Sequence, residues 1–424
     1  MDGDSVVVIG AGVAGLVAAR RLATAGADVT VVERRQTVGG RIRTERDEGF
    51  TFDRGFQVLF TAYPAVRREL DLDALDLRFF RPGAVIARPG SRSVLSDPLR
   101  DVRAAGASLR NNEVTLSDKL RTLLLRQHVG TRTESEIFRS TDQSIRSYLR
   151  EWGFSEDYLD NFVAPFYGGI TLDRSLSTDS SVFEYTFKML TEGATAVPAD
   201  GMGAIAAQLA DRARAAGVTI ETGRAVEELS PLGDEQATVT VSVGGESVTA
   251  DAAVVATDPR TATELTGVEA ITTEAQRCVT VHASLPSGNR PSMGKRIVLN
   301  ADDDRPNSVA PMSAVAPDYA PDGHTLYSAT FLGEQDTSDD ELFDEVRSAL
   351  ASWYPGASFS ELDHVATDRI DFAQFTQAPG FRAALPAVDA PAGPVVLAGD
   401  YTRWSSIQGA LESGAIAAET VGQF

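Results

Sequence analysis

The 424-residue chain sets 60 acidic side chains against 39 basic ones, a formal net charge of −21, which makes nucleic acid a poor partner and predicts two packed domains rather than one core. A lone Cys278 rules out an intrachain disulfide, and four scattered histidines offer no metal-ligand spacing, so no metal is expected. Such an acidic excess self-repels in dilute buffer and is tolerated where salt cuts the Debye length to about 3 Å at 1 M, which points to a halophilic setting; an arginine-rich protein of a GC-rich genome is the plainer alternative.

Ser5 to Gly10 (SVVVIG) reads as a buried parallel strand, Val13 to Ala25 as a helix ended by Gly26, and Asp28 to Glu33 as a second strand, together a βαβ unit. That strand opens almost at the first residue with no leader before it, and no uncharged apolar run reaches the roughly 18 residues of a membrane span, which predicts a cytoplasmic protein. Residues of about 95–190 read as mostly helical, with apolar clusters at Leu120 to Leu125 and Phe162 to Ile170. A second α/β stretch starts at Gly201, where an amphipathic helix lines up Ile205, Leu209 and Ala213 before the strand Val218 to Glu221. Gly244-Gly245 then turns a hairpin. Residues of about 272–385 mix strands (CVTVHASL, HTLYSATFL) with a helix near Glu341 to Trp353. The strand Pro394 to Ala398 and a helix from Gln408 to Thr420 close the chain. The fold class expected is α/β: a discontinuous Rossmann-type cofactor domain (1–94, 191–271 and 386–424) with an inserted α+β substrate domain (95–190 and 272–385).

Gly10-Ala11-Gly12-Val13-Ala14-Gly15 is a GxGxxG that follows a strand, opens a helix and is answered by Glu33 at the end of the next strand, the full dinucleotide fingerprint. Gly10 permits the tight turn, Gly12 lets the backbone approach a pyrophosphate, and Gly15 allows the helix to pack closely on the strand, with Ala14 counted among the cofactor-binding residues of the same turn. Glu33 accepts hydrogen bonds from both hydroxyls of an adenosine ribose and repels a 2′-phosphate, which disfavours NADP.

FAD and NAD share this fingerprint, so a second feature decides. Arg34 is followed by Gly39-Gly40-Arg41-Ile42-Arg43-Thr44, then Asp53-Arg54-Gly55-Phe56-Gln57. This resembles the "GG-R-x-x-T … D-x-G" sequence of the flavin-containing amine oxidase superfamily, which includes monoamine oxidases, protoporphyrinogen oxidases and phytoene desaturases. The physical logic agrees: adjacent glycines let backbone amides approach an extended pyrophosphate, and Arg41 clamps it with charge. The resemblance implies one FAD, with Gly55, Phe56 and Gln57 passing close to the flavin ring and the backbone of Val226 contacting adenine. The closing segment Gly399-Asp400-Tyr401-Thr402 and Ser406-Ile407-Gln408-Gly409-Ala410 is similar to the last FAD motif of that superfamily, most of all to plant-type carotenoid desaturases. By that resemblance Gly399 and Asp400 hold the ribityl or pyrophosphate region, while Ile407, Gln408 and Ala410 bring a helix N-terminus to the pyrimidine edge, where its positive end stabilises a reduced flavin.

Departures narrow the reading. The aromatic cage of monoamine oxidases is half missing at Trp404-Ser405-Ser406-Ile407, a loose alignment sets Arg277 where those enzymes carry a lysine near flavin N5 although an ordinary surface arginine fits it equally, and no cysteine follows Cys278 to tether the cofactor, so FAD is expected to be noncovalent. The four histidines read as surface or strand-interior residues, Phe166 and Tyr167 as helix core or pocket wall, and Asp302-Asp303-Asp304 as a solvated acidic loop. No catalytic side chain is singled out. The sequence leads to an FAD-dependent oxidase or desaturase taking a hydride from an apolar, isoprenoid-like small molecule, with peripheral membrane contact as a further expectation. An amine or porphyrinogen oxidase, and a non-catalytic flavin-bearing lipid or carotenoid binder, stand as alternatives.

Overall fold

The structure, a computed structural model, describes residues 3–95, 115–139, 142–231, 238–289 and 291–423. Its cofactor-domain sheet has five parallel strands in the order Thr219–Thr222, Asp28–Glu33, Ser5–Ile9, Ala252–Val255 and Val395–Leu397. Val6, Val7, Val8 and Ile9 are all buried, as a strand covered on both faces requires. Helix Val13–Thr24 packs between helix Gly203–Ala215 and the final helix Ile407–Val421. Small residues set that spacing: a Cβ built on Gly414 would lie 2.2 Å from the carbonyl oxygen of Ala14, so the last helix touches the first backbone to backbone.

The expected hairpin forms, Val239–Val243 against Glu246–Ala250, with Val226–Pro231 on its other side. The apolar run after it divides at Asp251, and Ala252–Val255 leaves the hairpin to join the parallel sheet.

The second sheet has seven strands in the order Asp363–Phe375, Ala275–Pro286, His324–Leu332, Ser308–Ala310, Ile297–Asn300, Ala84–Arg88 and Ser91–Leu95. The last two were expected with the cofactor domain. Instead Ala84 to Ala87 pair in parallel with Ile297 to Asn300, so the segment 84–95 belongs to the substrate sheet. One face of this sheet is closed by helix Asp339–Trp353, whose Leu342, Val346, Leu350 and Trp353 pack on Val281, Ala329 and Phe331. Ser338 and Glu341 form a reciprocal capping box at its start.

A helical wall completes the domain. Helices Leu116–Gly130, Ile145–Glu151, Ala164–Thr171 and Ser180–Glu192 share a core of Leu125, Val129, Leu149, Leu159, Tyr167 and Phe183. The part of the expected helical stretch between 96 and 114 lies outside the described residues.

Candidate active site

A cavity of about 1290 Å³ runs from the carboxyl ends of the parallel strands into the space between the seven-stranded sheet and the helical wall. Gly10, Gly12, Ala14, Glu33, Arg34, Gly39, Gly40 and Arg41 line its first part. Gly10 sits at φ +106°, and a Cβ there would lie 2.7 Å from the carbonyl oxygen of Ala256. Gly15 does not reach the cavity; its missing side chain lets the helix close onto the strand, because a Cβ would lie 2.1 Å from the oxygen of Gly10. At Gly12 a Cβ would meet nothing within 4 Å, so the bare backbone faces open space at a helix N-terminus. Such a cradle fits a pyrophosphate, whose charge the first-turn amides and the helix dipole attract.

Glu33 is buried, and its carboxylate accepts from the backbone amides of Ala11 and Arg35, each at 2.9 Å. Arg34 reaches across to Asp258 at 3.2 Å. Val226 lines the same end, held there because the amide of Arg224 donates to the carbonyl of Glu33. Thr257, Asp258 and Arg260 also line it, residues not singled out in the sequence. Their signal was present: they follow a parallel strand at its carboxyl end, where α/β sheets bind ligands.

Arg41 pairs with Asp400 at 2.5 Å and donates to the carbonyl of Ala373 at 3.2 Å. Burial alone would lower the pKa of Arg41, but the carboxylate of Asp400 outweighs it and the net direction is upward. Asp400 is buried and also accepts from Ser405 at 2.9 Å. The two motifs, far apart in sequence, thus meet as one ion pair on the cavity wall.

Gly55, Phe56 and Gln57 line the next part of the cavity. Their backbone is braced from the opposite domain: Gly55 donates to Asp368 at 3.3 Å and Phe56 to Thr280 at 3.4 Å, while the Gln57 side chain donates to the carbonyls of Arg41 and Arg54. Asp368 in turn lies 3.3 Å from His282, a buried strand-interior histidine whose other nitrogen meets Ser328.

The aspartate of the D-x-G segment does not line the cavity. Asp53 is buried, accepts from Thr44 at 2.5 Å and from the amide of Met202 at 2.7 Å, and ties the hairpin Thr44–Asp53 to the start of helix Gly203–Ala215. Burial pushes its pKa from 3.8 up to about 6.

At the closing motif Gly399, Asp400, Ile407 and Ala410 line the cavity, but the Gln408 side chain does not. That side chain is buried on the far side of the helix, accepting from the amide of Ala65 at 2.9 Å at the start of helix Pro64–Glu69, while the residue itself stays at the helix N-terminus beside Ile407. Arg277 takes the alternative expected of it, an ordinary surface arginine. It is half-buried and paired with Glu334, because the alternation of strand Ala275–Pro286 points the neighbouring Cys278 into the cavity instead. Burial raises the Cys278 thiol to about 12, so it is no thiolate.

Beyond these residues the walls turn apolar: Phe154, Phe162, Phe166, Val182, Phe183, Phe187 and Leu190 from the helices, Ile170 and Ile370 beside them. Phe166 and Tyr167 serve both helix core and cavity wall. Among the described residues no group of three or more metal-ligating side chains gathers, and His128, His324 and His364 lie at the surface.

The sequence profile of flavin containing amine oxidoreductases matches residues 13–422. The chain belongs to that family, which comprises FAD-dependent oxidoreductases. It is 25% identical over 271 residues to a carotenoid 3,4-desaturase of Haloarcula japonica, covering 54% of this chain and 51% of the relative. To a phytoene dehydrogenase of Streptomyces griseus it is 29% identical over 336 residues, covering 71% of this chain and 61% of the relative. The chain thus spans about half to three-fifths of the length of these two relatives. An oxidoreductase of Methanosarcina mazei superposes with a TM-score of 0.76 at 19% identity over 98% of this chain and 100% of that one, a likeness of fold. The bare glycine cradle, the buried acceptor Glu33 and the Arg41–Asp400 pair fit FAD.

Proposed function

We propose that this chain is an FAD-dependent desaturase or oxidase that takes a hydride from an apolar, isoprenoid-like molecule. The observation that carries this reading is the two-part cavity. At about 1290 Å³ it exceeds the roughly 300–1,000 Å³ of a site for one small molecule, which leaves room for a second beside the cofactor, and its second part is walled by aliphatic and aromatic side chains. Bound FAD would supply the electron sink, held by Gly10, Gly12, Glu33, Gly39, Gly40, Arg41, Gly399 and Asp400. The chain's own residues then position a C–H bond and exclude water. Phe183, Phe187, Ile170 and Ile370 line the substrate space, with the carboxylate of Asp371 also on the cavity wall beside Ile370. The aliphatic and aromatic walls suit hydride removal from a neutral carbon chain better than recognition of a charged amine.

Access supports the same reading. Helix Leu116–Gly130 lies at the cavity mouth, and its Leu116, Leu120, Leu123 and Leu124 are between 47% and 77% exposed. Phe79, which also lines the cavity, is 49% exposed. An apolar rim on an acidic protein fits loading from a lipid surface, which would make the chain a peripheral membrane protein. Among the described residues no helix is long and apolar enough to cross a membrane.

Titration of the FAD-loaded protein tests the proposal. A solubilised long polyene should shift the flavin absorbance bands and saturate, while alkylamines of equal length should not; a shift with amines alone would contradict it.

A further inference from the structure

Within the helical wall of the cavity most hydroxyls are occupied. Thr122 donates to the carbonyl of Asp118 at 2.8 Å, Thr171 to that of Tyr167 at 2.9 Å and Thr191 to that of Lys188 at 2.8 Å, the usual fate of a helix threonine. Tyr158 shares its hydroxyl with Thr122 at 3.4 Å.

Two hydroxyls break this pattern. Thr186 follows Val182 and Phe183 on the stripe of helix Ser180–Glu192 that faces the cavity, yet its Oγ1 does not bond back to the preceding turn; its polar neighbour is the phenol of Tyr63. The Tyr167 hydroxyl has no partner. Both residues are more than nine-tenths buried, at 1% and 3% exposure, and both line the cavity. They share one stretch of wall: the ring of Tyr167 packs on Phe183 with centroids 4.5 Å apart, one turn from Thr186, and the nearby phenol of Tyr63 can donate to Thr186 Oγ1, which leaves the Thr186 proton for a ligand. An unmet hydroxyl in an apolar wall is costly, and the cost disappears when a ligand supplies the missing acceptor.

We propose that the substrate is not a pure hydrocarbon but an apolar chain ending in a neutral oxygen function, a hydroxyl or carbonyl, that accepts hydrogen bonds from Tyr167 and Thr186. This rests on the reading of an apolar substrate and makes it specific. A single carbonyl or hydroxyl oxygen has the two lone pairs that two O–H donors require. Among the described residues no cation is hydrogen-bonded to either hydroxyl, as recognition of a carboxylate would ask; Arg126 and Lys119 line the cavity from helix Leu116–Gly130. The two donors therefore act as a ruler, fixing how far the chain enters and which of its C–H bonds meets the cofactor.

The test uses FAD-loaded protein and two probes in detergent, geranylgeraniol and the hydrocarbon of the same skeleton lacking the hydroxyl, with binding read from the flavin absorbance. Wild type should bind the alcohol about ten-fold more tightly, and Tyr167→Phe or Thr186→Val should each remove most of that preference while leaving hydrocarbon affinity and FAD content unchanged. Equal affinity for both probes in wild type would overturn the inference while leaving the apolar-substrate reading intact. Loss of FAD from Tyr167→Phe would also overturn it, by assigning the hydroxyl to the cofactor. If neither probe binds, the apolar-substrate reading falls and takes this inference with it.

Discussion

The carboxylate of Glu33 already accepts from the amides of Ala11 and Arg35, but each oxygen has a second lone-pair site, and the residue faces the cavity. Glu33→Gln turns one acceptor into a donor against a backbone N–H, so FAD affinity should fall about ten-fold or more in a fluorescence titration; unchanged affinity would remove Glu33 from the cofactor site. Asp53 makes a pH-dependent prediction. Its pKa is raised from 3.8 to about 6, so the folded state holds a proton that the unfolded chain has released, and stability falls as pH rises through that window. Asp53→Asn keeps an acceptor for Thr44 and Met202 and should flatten the melting temperature between about pH 4 and 6; curves parallel to wild type would refute the assignment. At this scale the sequence was most informative where geometry is local. Gly10, Gly12 and Gly15 announce themselves because a tight turn and a close helix tolerate nothing larger. The direction of the Gln408 side chain was not legible because its partner, the amide of Ala65, is 343 residues away. The role of Asp53 as a structural tie, not a cavity residue, depends likewise on Met202, which no spacing rule links to it.

At the scale of elements, the contact of helix Val13–Thr24 with its strand rests on Gly15, where any Cβ collides with the oxygen of Gly10. Gly15→Val should cost about 1–3 kcal/mol and lower FAD content with it, checked by chemical denaturation and the flavin-to-protein absorbance ratio. The mouth helix Leu116–Gly130 buries Leu125 and Val129 and leaves its other leucines outward, so replacing Leu120 and Leu124 by Gln should leave the melting temperature nearly unchanged while reducing cosedimentation with phospholipid vesicles. Undiminished cosedimentation would remove this helix as the membrane-facing rim. The strands of the parallel sheet were readable because continuous apolar runs such as Ser5–Ile9 belong to doubly covered strands. The segment 84–95 escaped its sheet in the sequence because its partner strand, Ile297–Asn300, lies some two hundred residues on, and no local pattern names a partner at that distance.

For the whole molecule, 60 acidic side chains against 39 basic ones predict self-repulsion in dilute buffer. The melting temperature should rise across a potassium chloride series from 0.1 to 3 M, concentrations chosen to collapse the Debye length; a flat profile would favour the GC-rich-genome explanation. The cofactor domain was the legible half, since its glycine fingerprint and closing motif are short and held by backbone geometry. The cavity walls were not legible, because an apolar stripe on a helix reads the same whether it faces a core or a substrate, and Phe183 does both. The central claim, that this cavity brings an apolar chain to the flavin for hydride removal, is tested most directly by anaerobic mixing of the oxidised, FAD-loaded protein with a polyprenyl lipid fraction. Bleaching of the flavin together with a new carbon–carbon double bond in the recovered lipid is the expected result. A flavin that dithionite reduces readily, but that the lipid fraction leaves oxidised while still binding, would contradict it.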